Sequence, residues 1–276
     1  MTALTRPALE DLAALALEAG LDIMEVWRRG VVAQEKLDGS PVTIADRRAE
    51  AIIEAGLARL APGVPVVAAE ACSEGRTPER SGAWFLVDPL DGTKEFVSTD
   101  TGEFTVNIAL IEAGVPVMGV VYAPKSGRLY AGGPEGAWLR LHDPDTGAER
   151  APARAIHVAA GEAGRLRGVA SRRSGGGETD EFLVRAGAPD RRPVSSSLKF
   201  CILAEGEADL YPRFGPTNEW DLAAGHAVLA AAGGGVMTCE GAPLRYRDEG
   251  RDFLIPRFVA YGGPHALAAA RQALGC

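Results

Sequence analysis

Cysteine is sparse in this 276-residue chain: Cys72, Cys201, Cys239 and Cys276 lie far apart, with no CxxC pair. That spacing supplies neither a zinc framework nor a disulfide scaffold, and buried or incidental thiols in a reducing compartment are expected. Positive charge is also short. Against 37 Asp and Glu there are 29 Lys and Arg, a net charge of −8, whereas a nucleic-acid or anionic-membrane surface needs clustered bases. An anionic small molecule stays compatible with that balance, because a bound cation reverses the local field. The N-terminal MTALTRPALEDLAALALEAG carries Glu10, Asp11 and Glu18 inside its apolar stretch, unlike a secretory h-region or a membrane span. A cytoplasmic protein without an integral membrane segment is expected. No basic amphipathic helix stands out; peripheral association with an inner membrane and homo-oligomerisation stay open. Internal repeats, long low-complexity segments and a nucleophilic Cys or Ser motif are absent as well.

What is present suits a globular protein: 46% hydrophobic and 24% charged residues. The length allows one large domain or two closely packed ones with a substantial core. Leu9, Leu12, Leu15, Ala16, Ala19, Ile23 and Val26 recur at helical spacing between Pro7 and Gly30 and predict a first helix. A second is expected from about Ala45 to Leu60, with Ile52, Ile53, Leu57 and Leu60 facing the core. PVVAAEA and AWFLVDP read as short strands ending on acids. FTVNIALIEAGVPVMGVVYAPKSGRLYAGG reads as consecutive antiparallel strands broken by Gly-Val-Pro and Pro-Lys-Ser-Gly turns. The polar stretch RLHDPDTGAERAPARA marks the expected boundary between an α+β half (1–145) and an α/β half (146–276). In the second half the strands GVAS, ADLYPR and FVAYGG alternate with helices.

The segment WFLVDPLDGTKEFV, Trp84 to Val97, poses the chemical question. Four apolar residues run into Asp88, Asp91 follows three positions later, and no basic residue comes before Lys94. Carboxylates beside apolar surroundings are costly without compensation, so something positive is expected between them. Hard cations such as Mg²⁺ take carboxylate, carbonyl, water and phosphate oxygens. Asp88, the Leu90 carbonyl and Asp91 offer such a set, with Pro89 turning the chain and the Gly92 and Thr93 N–H groups placed for an anion. Asp-Pro-X-Asp-Gly is also good turn chemistry by itself. Glu70 closes the strand PVVAAE, Asp221 opens the helix after Trp220, and Asp46 precedes the second helix. Either of the last two serves equally as a helix cap.

The order Asp46, Glu70, Asp88-Pro-Leu-Asp91-Gly-Thr93 and Trp220-Asp221-x-x-Gly resembles the inositol monophosphatase superfamily, Mg²⁺-dependent and lithium-sensitive phosphatases, over essentially the whole chain. Within it, LVDPLDGTKEFV, GEFTVNIALIEAGVPVMGVVYAP and SSSLKFCILAEGEADLYPRFGPTNEWDLAAGHAV are similar to the 3'(2'),5'-bisphosphate nucleotidase branch of CysQ type. The resemblance implies a layered αβαβα fold with the site between an N-terminal metal-binding half and a C-terminal substrate-binding half. It implies Glu70, Asp88 and the Leu90 carbonyl around a first Mg²⁺, and Asp88, Asp91 and Asp221 around a second. A third, weaker ion would involve Glu70 and Asp46 through water. It further implies phosphate held at Gly92 and Thr93, and catalysis by Glu70, Asp46 and Thr93, the last two deprotonating the attacking water. Many relatives carry a second acid after the metal-binding Glu. Here Ala71 follows Glu70, and Glu74 is the candidate to compensate at the third ion.

Ser195, Ser196, Ser197 and Lys199 are expected to contact substrate near its second phosphate or ribose, as is Asp221. For Lys199 a solvent-facing place on a helix is the alternative, and for Arg213 the choice lies between a phosphate and the surface. His226 is expected to be structural, since Mg²⁺ prefers oxygen; Trp84 and Trp220 are expected in the core; Arg172 to Gly177 is expected as a solvated loop. The activity implied is removal of the 3'-phosphate from adenosine 3',5'-bisphosphate to give AMP, with the sulfated nucleotide as a second substrate. An inositol or sugar monophosphatase is the alternative within the same chemistry. A non-catalytic protein binding metal or nucleotide is the alternative of another class.

Overall fold

The computed structural model describes residues 6–35, 41–80, 82–98, 102–172, 176–246 and 252–276. In chain order the first elements are α1 (Leu9–Arg29), the paired strands β1 (Ala33–Glu35) and β2 (Pro41–Thr43), α2 (Ile44–Leu60), β3 (Val66–Ala68) and the short α3 (Ala69–Ser73). Next come β4 (Ala83–Asp91), α4 (Thr93–Ser98), β5 (Thr105–Glu112), β6 (Val115–Ala123), β7 (Arg128–Gly133), β8 (Gly136–His142) and β9 (Glu149–Ile156). The remainder holds β10 (Gly168–Ser171), α5 (Glu178–Arg185), β11 (Arg191–Val194), α6 (Leu198–Ala204) and β12 (Leu210–Arg213). It ends with α7 (Glu219–Ala231), β13 (Gly235–Thr238), β14 (Phe258–Tyr261) and α8 (Pro264–Leu274).

Two sheets organise these elements. Strands β3 to β9 lie side by side in sequence order, antiparallel apart from the parallel β3–β4 pair. The second sheet has the order β11-β10-β12-β14-β13. Successive side chains of a strand face opposite ways, and both faces of the large sheet are covered. Phe85, Val87, Ile108 and Leu110 join the core with Leu12 and Ile23 of α1 and Ile53 of α2. Trp84, Leu86, Ala109 and Ile111 join Phe200 of α6 and Val228 of α7, together with Tyr211 and Phe258 of the second sheet. Phe182 of α5 and Ala266 of α8 cover that sheet's far face. The result is five layers, αβαβα. Gly119 and Gly132 let α7 lie close to the large sheet: a methyl at Gly119 would collide with the Ala224 carbonyl, and one at Gly132 would sit 2.6 Å from the Val228 Cα.

Several expectations change at this level. Ile52 and Leu60 are only half-buried, because Ile53, Gly56 and Leu57 take the inner face of α2. The polar stretch expected to mark a boundary at 145/146 is a strand–turn–strand unit: β9 pairs with β8, so the large sheet runs on to Ile156. Polar composition there reflects an edge strand with one neighbour, whose exposed side chains blunt further pairing. Residues 173–175 of the expected Arg172–Gly177 loop lie outside the described residues.

Candidate active site and metal centre

Asp88 and Asp91 are three residues apart, a spacing that would turn them to opposite faces of a regular strand. The pairing shifts between them: Asp88 is opposite Asn107, whereas Asp91 is opposite Thr105. Three steps on β4 therefore match two on β5, a bulge that restores both carboxylates to one side. The strand continues past Asp88, where an end was expected, and the Leu90 N–H donates to Asp88 Oδ1 at 3.0 Å. Gly92 follows at φ +89°, and a Cβ there would lie 3.0 Å from the Glu103 carbonyl. Only glycine makes that turn without strain or collision.

Asp46 and Asp221 are each the third residue of a helix, closing a capping box with Thr43 and Asn218. The cap uses only one carboxylate oxygen of Asp46. Its Oδ2 accepts from the Thr43 N–H and hydroxyl, both at 2.7 Å, which leaves Oδ1 to the Thr93 hydroxyl at 3.2 Å. Asp221 Oδ2 accepts from Thr217 Oγ1 and the Asn218 N–H, and Asp221 still meets Asp88 and Asp91, with ligand oxygens of the three within 4.8 Å of one another. Glu70 lines the same cleft and acts electrostatically on Asp88 and Asp46. It is not at a strand end but is the second residue of α3.

Without a cation these acids repel one another, and their titration reflects it. Burial and then the charges of Asp91, Asp221 and Glu70 push Asp88 well above the usual carboxylate range. Burial and then Asp221 raise Asp91; burial is also the main cause that raises Asp46. A set of mutually repelling oxygen donors fits a hard divalent cation. The Leu90 carbonyl accepts from Thr93 Oγ1 at 3.1 Å.

The positive charge missing from the local sequence arrives from far along the chain. Lys199 is buried and within electrostatic reach of Asp91 and Asp221; it is not the solvent-facing residue allowed above. Burial lowers its pKa to about 8 against the pull of Asp91, and its Nζ donates to the Ser196 carbonyl. Lys199, Ser195, Ser196 and Arg213 line a cavity of about 170 Å³. That cavity shares Asp91, Gly92, Glu95 and Asp221 with the main cleft of about 710 Å³, where Thr93, Asp88 and Glu70 lie. Ser197 lines neither. Its hydroxyl, 2.6 Å from the Asp221 carbonyl and 3.2 Å from Asp91 Oδ2, accepts from Asn107 Nδ2. It ties together the segments that carry two of the acids.

Other residues settle differently. Glu74 is exposed and pairs with Arg76 at 3.1 Å outside the cleft, because α3 ends beside it, so it does not replace the acid missing at Ala71. His226 is buried against the Tyr246 hydroxyl, and burial lowers its pKa to about 4, as suits a structural histidine. Trp84 is in the core, but Trp220 is half-buried and lines the main cleft. Glu50 escaped the sequence analysis. Its buried carboxylate accepts the Glu70 N–H at 2.9 Å and also that of Ala71, and burial raises its pKa to about 7. The available signal was an acid one turn after Asp46, on the same helix face as Ile53 and Leu57.

The profile described as "Inositol monophosphatase family" matches residues 6–273. The chain is 43% identical over 252 residues to the 3'(2'),5'-bisphosphate nucleotidase CysQ of Shigella flexneri and to that of Escherichia coli K12, covering 91% of this chain and 98% of each relative. Among solved structures, it resembles CysQ from Bacteroides thetaiotaomicron with a TM-score of 0.72 and 35% identity, covering 92% of this chain and 97% of that one. The protein suhB of Bartonella henselae aligns with a TM-score of 0.73 and 26% identity over 96% of this chain and 97% of that one.

Proposed function

The chain belongs to the inositol monophosphatase family, and on that premise we propose that it removes the 3'-phosphate from adenosine 3',5'-bisphosphate in a Mg²⁺-dependent reaction, giving AMP and phosphate. The sulfated nucleotide is a second substrate. The observation that carries the proposal is the meeting of Asp88, Asp91 and Asp221 beside the Thr93–Asp46 hydrogen bond in one cleft. Relatives named as nucleotidases of this kind at 43% identity supply the substrate class.

Glu70, Asp88 and the Leu90 carbonyl would hold one ion; Asp88, Asp91 and Asp221 would hold another. When bound, the cations neutralise phosphate charge and acidify water. The Thr93 hydroxyl has two acceptors for its single proton, Asp46 Oδ1 and the Leu90 carbonyl. Its lone pairs are therefore left to take a proton from water while its own passes to Asp46. Burial keeps the Asp46 carboxylate more basic than usual, which suits an acceptor. The Gly92 and Thr93 N–H groups hold phosphate oxygens. Ser195, Ser196 and Lys199, with Arg213, receive the second phosphate in the smaller cavity. Ser197 acts by holding Asp91 and Asp221.

The test is phosphate release from adenosine 3',5'-bisphosphate and inositol 1-phosphate side by side, with Mg²⁺ and with chelator. Mg²⁺-dependent preference for the nucleotide is expected. Preference for inositol phosphate would overturn the substrate and keep the metal site; binding of nucleotide without release would revive a non-catalytic role.

A further inference from the structure

The cleft holds more than acids. Trp220 and Phe253 both line it, with ring centroids 4.9 Å apart and planes at 42°. Trp220 adjoins Asp221, so this aromatic pair stands beside the carboxylate cluster. The guanidinium of Arg80 lies 4.7 Å from the Phe253 ring centroid and pairs with Glu219 at 2.9 Å; Arg80 does not line the cleft. Phe253 has φ +64° and its neighbour Asp252 φ +44°. Two successive left-handed residues without glycine are unfavourable and persist only where surrounding structure imposes them. Here the Phe253 carbonyl accepts the Glu219 N–H at 2.8 Å, and the Ile255 N–H donates to the Thr217 carbonyl at 2.9 Å. The segment is thereby stitched to the start of α7, where Asp221 lies. The Phe253 ring is held at the cleft wall, in contact with Trp220 and Arg80.

We propose that Trp220 and Phe253 form a stacking wall for the planar base of the substrate, a subsite that selects purine nucleotides over base-free sugar phosphates. This rests on the nucleotidase function proposed above and extends it to the base. The acids and Lys199 recognise charge, which inositol and nucleotide phosphates share; a flat π surface distinguishes only a ligand that carries a ring of its own. The 710 Å³ cleft falls within the range of about 300–1,000 Å³ for small-molecule sites.

The experiment compares wild type with Phe253→Leu and Phe253→Tyr on two substrates, adenosine 3',5'-bisphosphate and its base-free counterpart, methyl ribofuranoside 3,5-bisphosphate. Losing a stacking ring is expected to raise KM for the nucleotide by about five- to a hundredfold. The Phe253→Leu KM for the base-free compound and its kcat on both should stay near wild type, and Phe253→Tyr should restore nucleotide KM. An unchanged nucleotide KM in Phe253→Leu, or an equal rise for both substrates, would overturn the subsite while nucleotidase activity of the wild type stands. A wild type that ignores the nucleotide would overturn both. A second readout needs no variant: among the four tryptophans only Trp220 lines the cleft. With Mg²⁺ present, the product AMP should quench tryptophan emission and methyl ribofuranoside 5-phosphate should not; equal response to both refutes stacking.

Discussion

Replacing Asp91 by asparagine is expected to stabilise the metal-free protein while abolishing turnover. Without a cation, burial and then the charge of Asp221 raise the Asp91 carboxyl from 3.8 to about 7. At about 1.36 kcal/mol per pH unit, that displacement corresponds to roughly 4 kcal/mol against the ionised form. A carboxyl whose folded value lies above its unfolded one binds its proton more tightly in the fold. Its effect on stability is therefore absent below about pH 4, grows as the unfolded chain releases its proton, and is complete above about pH 7. The substitution removes the charge and keeps an acceptor for Ser197 Oγ, 3.2 Å away. It also forfeits the attraction of Lys199, so the expected gain is about 1–4 kcal/mol at pH 8 and near zero at pH 4. For a chain of this size that is roughly 2 °C in Tm per kcal/mol. Unfolding in chelator at both pH values measures it. Added Mg²⁺ should reverse the order at pH 8, since a ligand stabilises only the protein that binds it. Lower stability of Asp91→Asn in chelator at pH 8, or the same difference at both pH values, would refute the account of the acids as a repelling set awaiting a cation.

Three further perturbations follow from the same geometry. Thr93→Ala is expected to lower kcat about 10²–10⁴-fold while calorimetric Mg²⁺ affinity stays close to wild type; a parallel loss of affinity would make Thr93 a support for the metal site and not a proton carrier. Glu50→Gln leaves one acceptor for the two N–H groups of Glu70 and Ala71. It should weaken Mg²⁺ binding about 10–100-fold, as loss of a supporting contact does, and unchanged affinity would leave Glu50 without that role. Gly92→Ala forces a Cβ to within 3.0 Å of the Glu103 carbonyl at φ +89°. It should cost about 1–3 kcal/mol in denaturant unfolding together with phosphatase activity, and a neutral result would contradict the tight turn.

Much of the candidate site was legible because its proposed ligands sit in local patterns. Asp88, Asp91, Gly92 and Thr93 are contiguous or nearly so, and Asp46 and Asp221 each lie three residues after a cap. Helix α1 was readable from apolar periodicity, which burial on one face imposes; α7 and the strands β4 to β7 were readable as nearly continuous apolar runs, since they are covered on both sides. Short elements such as α3, β11 and β13 were not read, four or five residues carrying little pattern, although β10, β12 and β14 of similar length were. The polar edge strand β9 was missed because a strand with a single neighbour needs no apolar alternation.

By itself, then, the sequence determined the proposed donor set, its order along the chain and the family to which the pattern points. Local chemistry writes turns, caps and contiguous ligands directly into residue order. Tertiary structure alone decided which distant groups complete the site. A bulge in β4 turned Asp91 toward Asp88; the packing of α6 brought buried Lys199 to an acid more than a hundred residues earlier; α2 delivered Glu50 to the backbone of Glu70; and the chain at Phe253 came back to stand beside Trp220. The last three have no sequence neighbour to announce them, because each is a contact made only when separate elements close on one another; the bulge joins near neighbours but exists only through the pairing of β4 with β5.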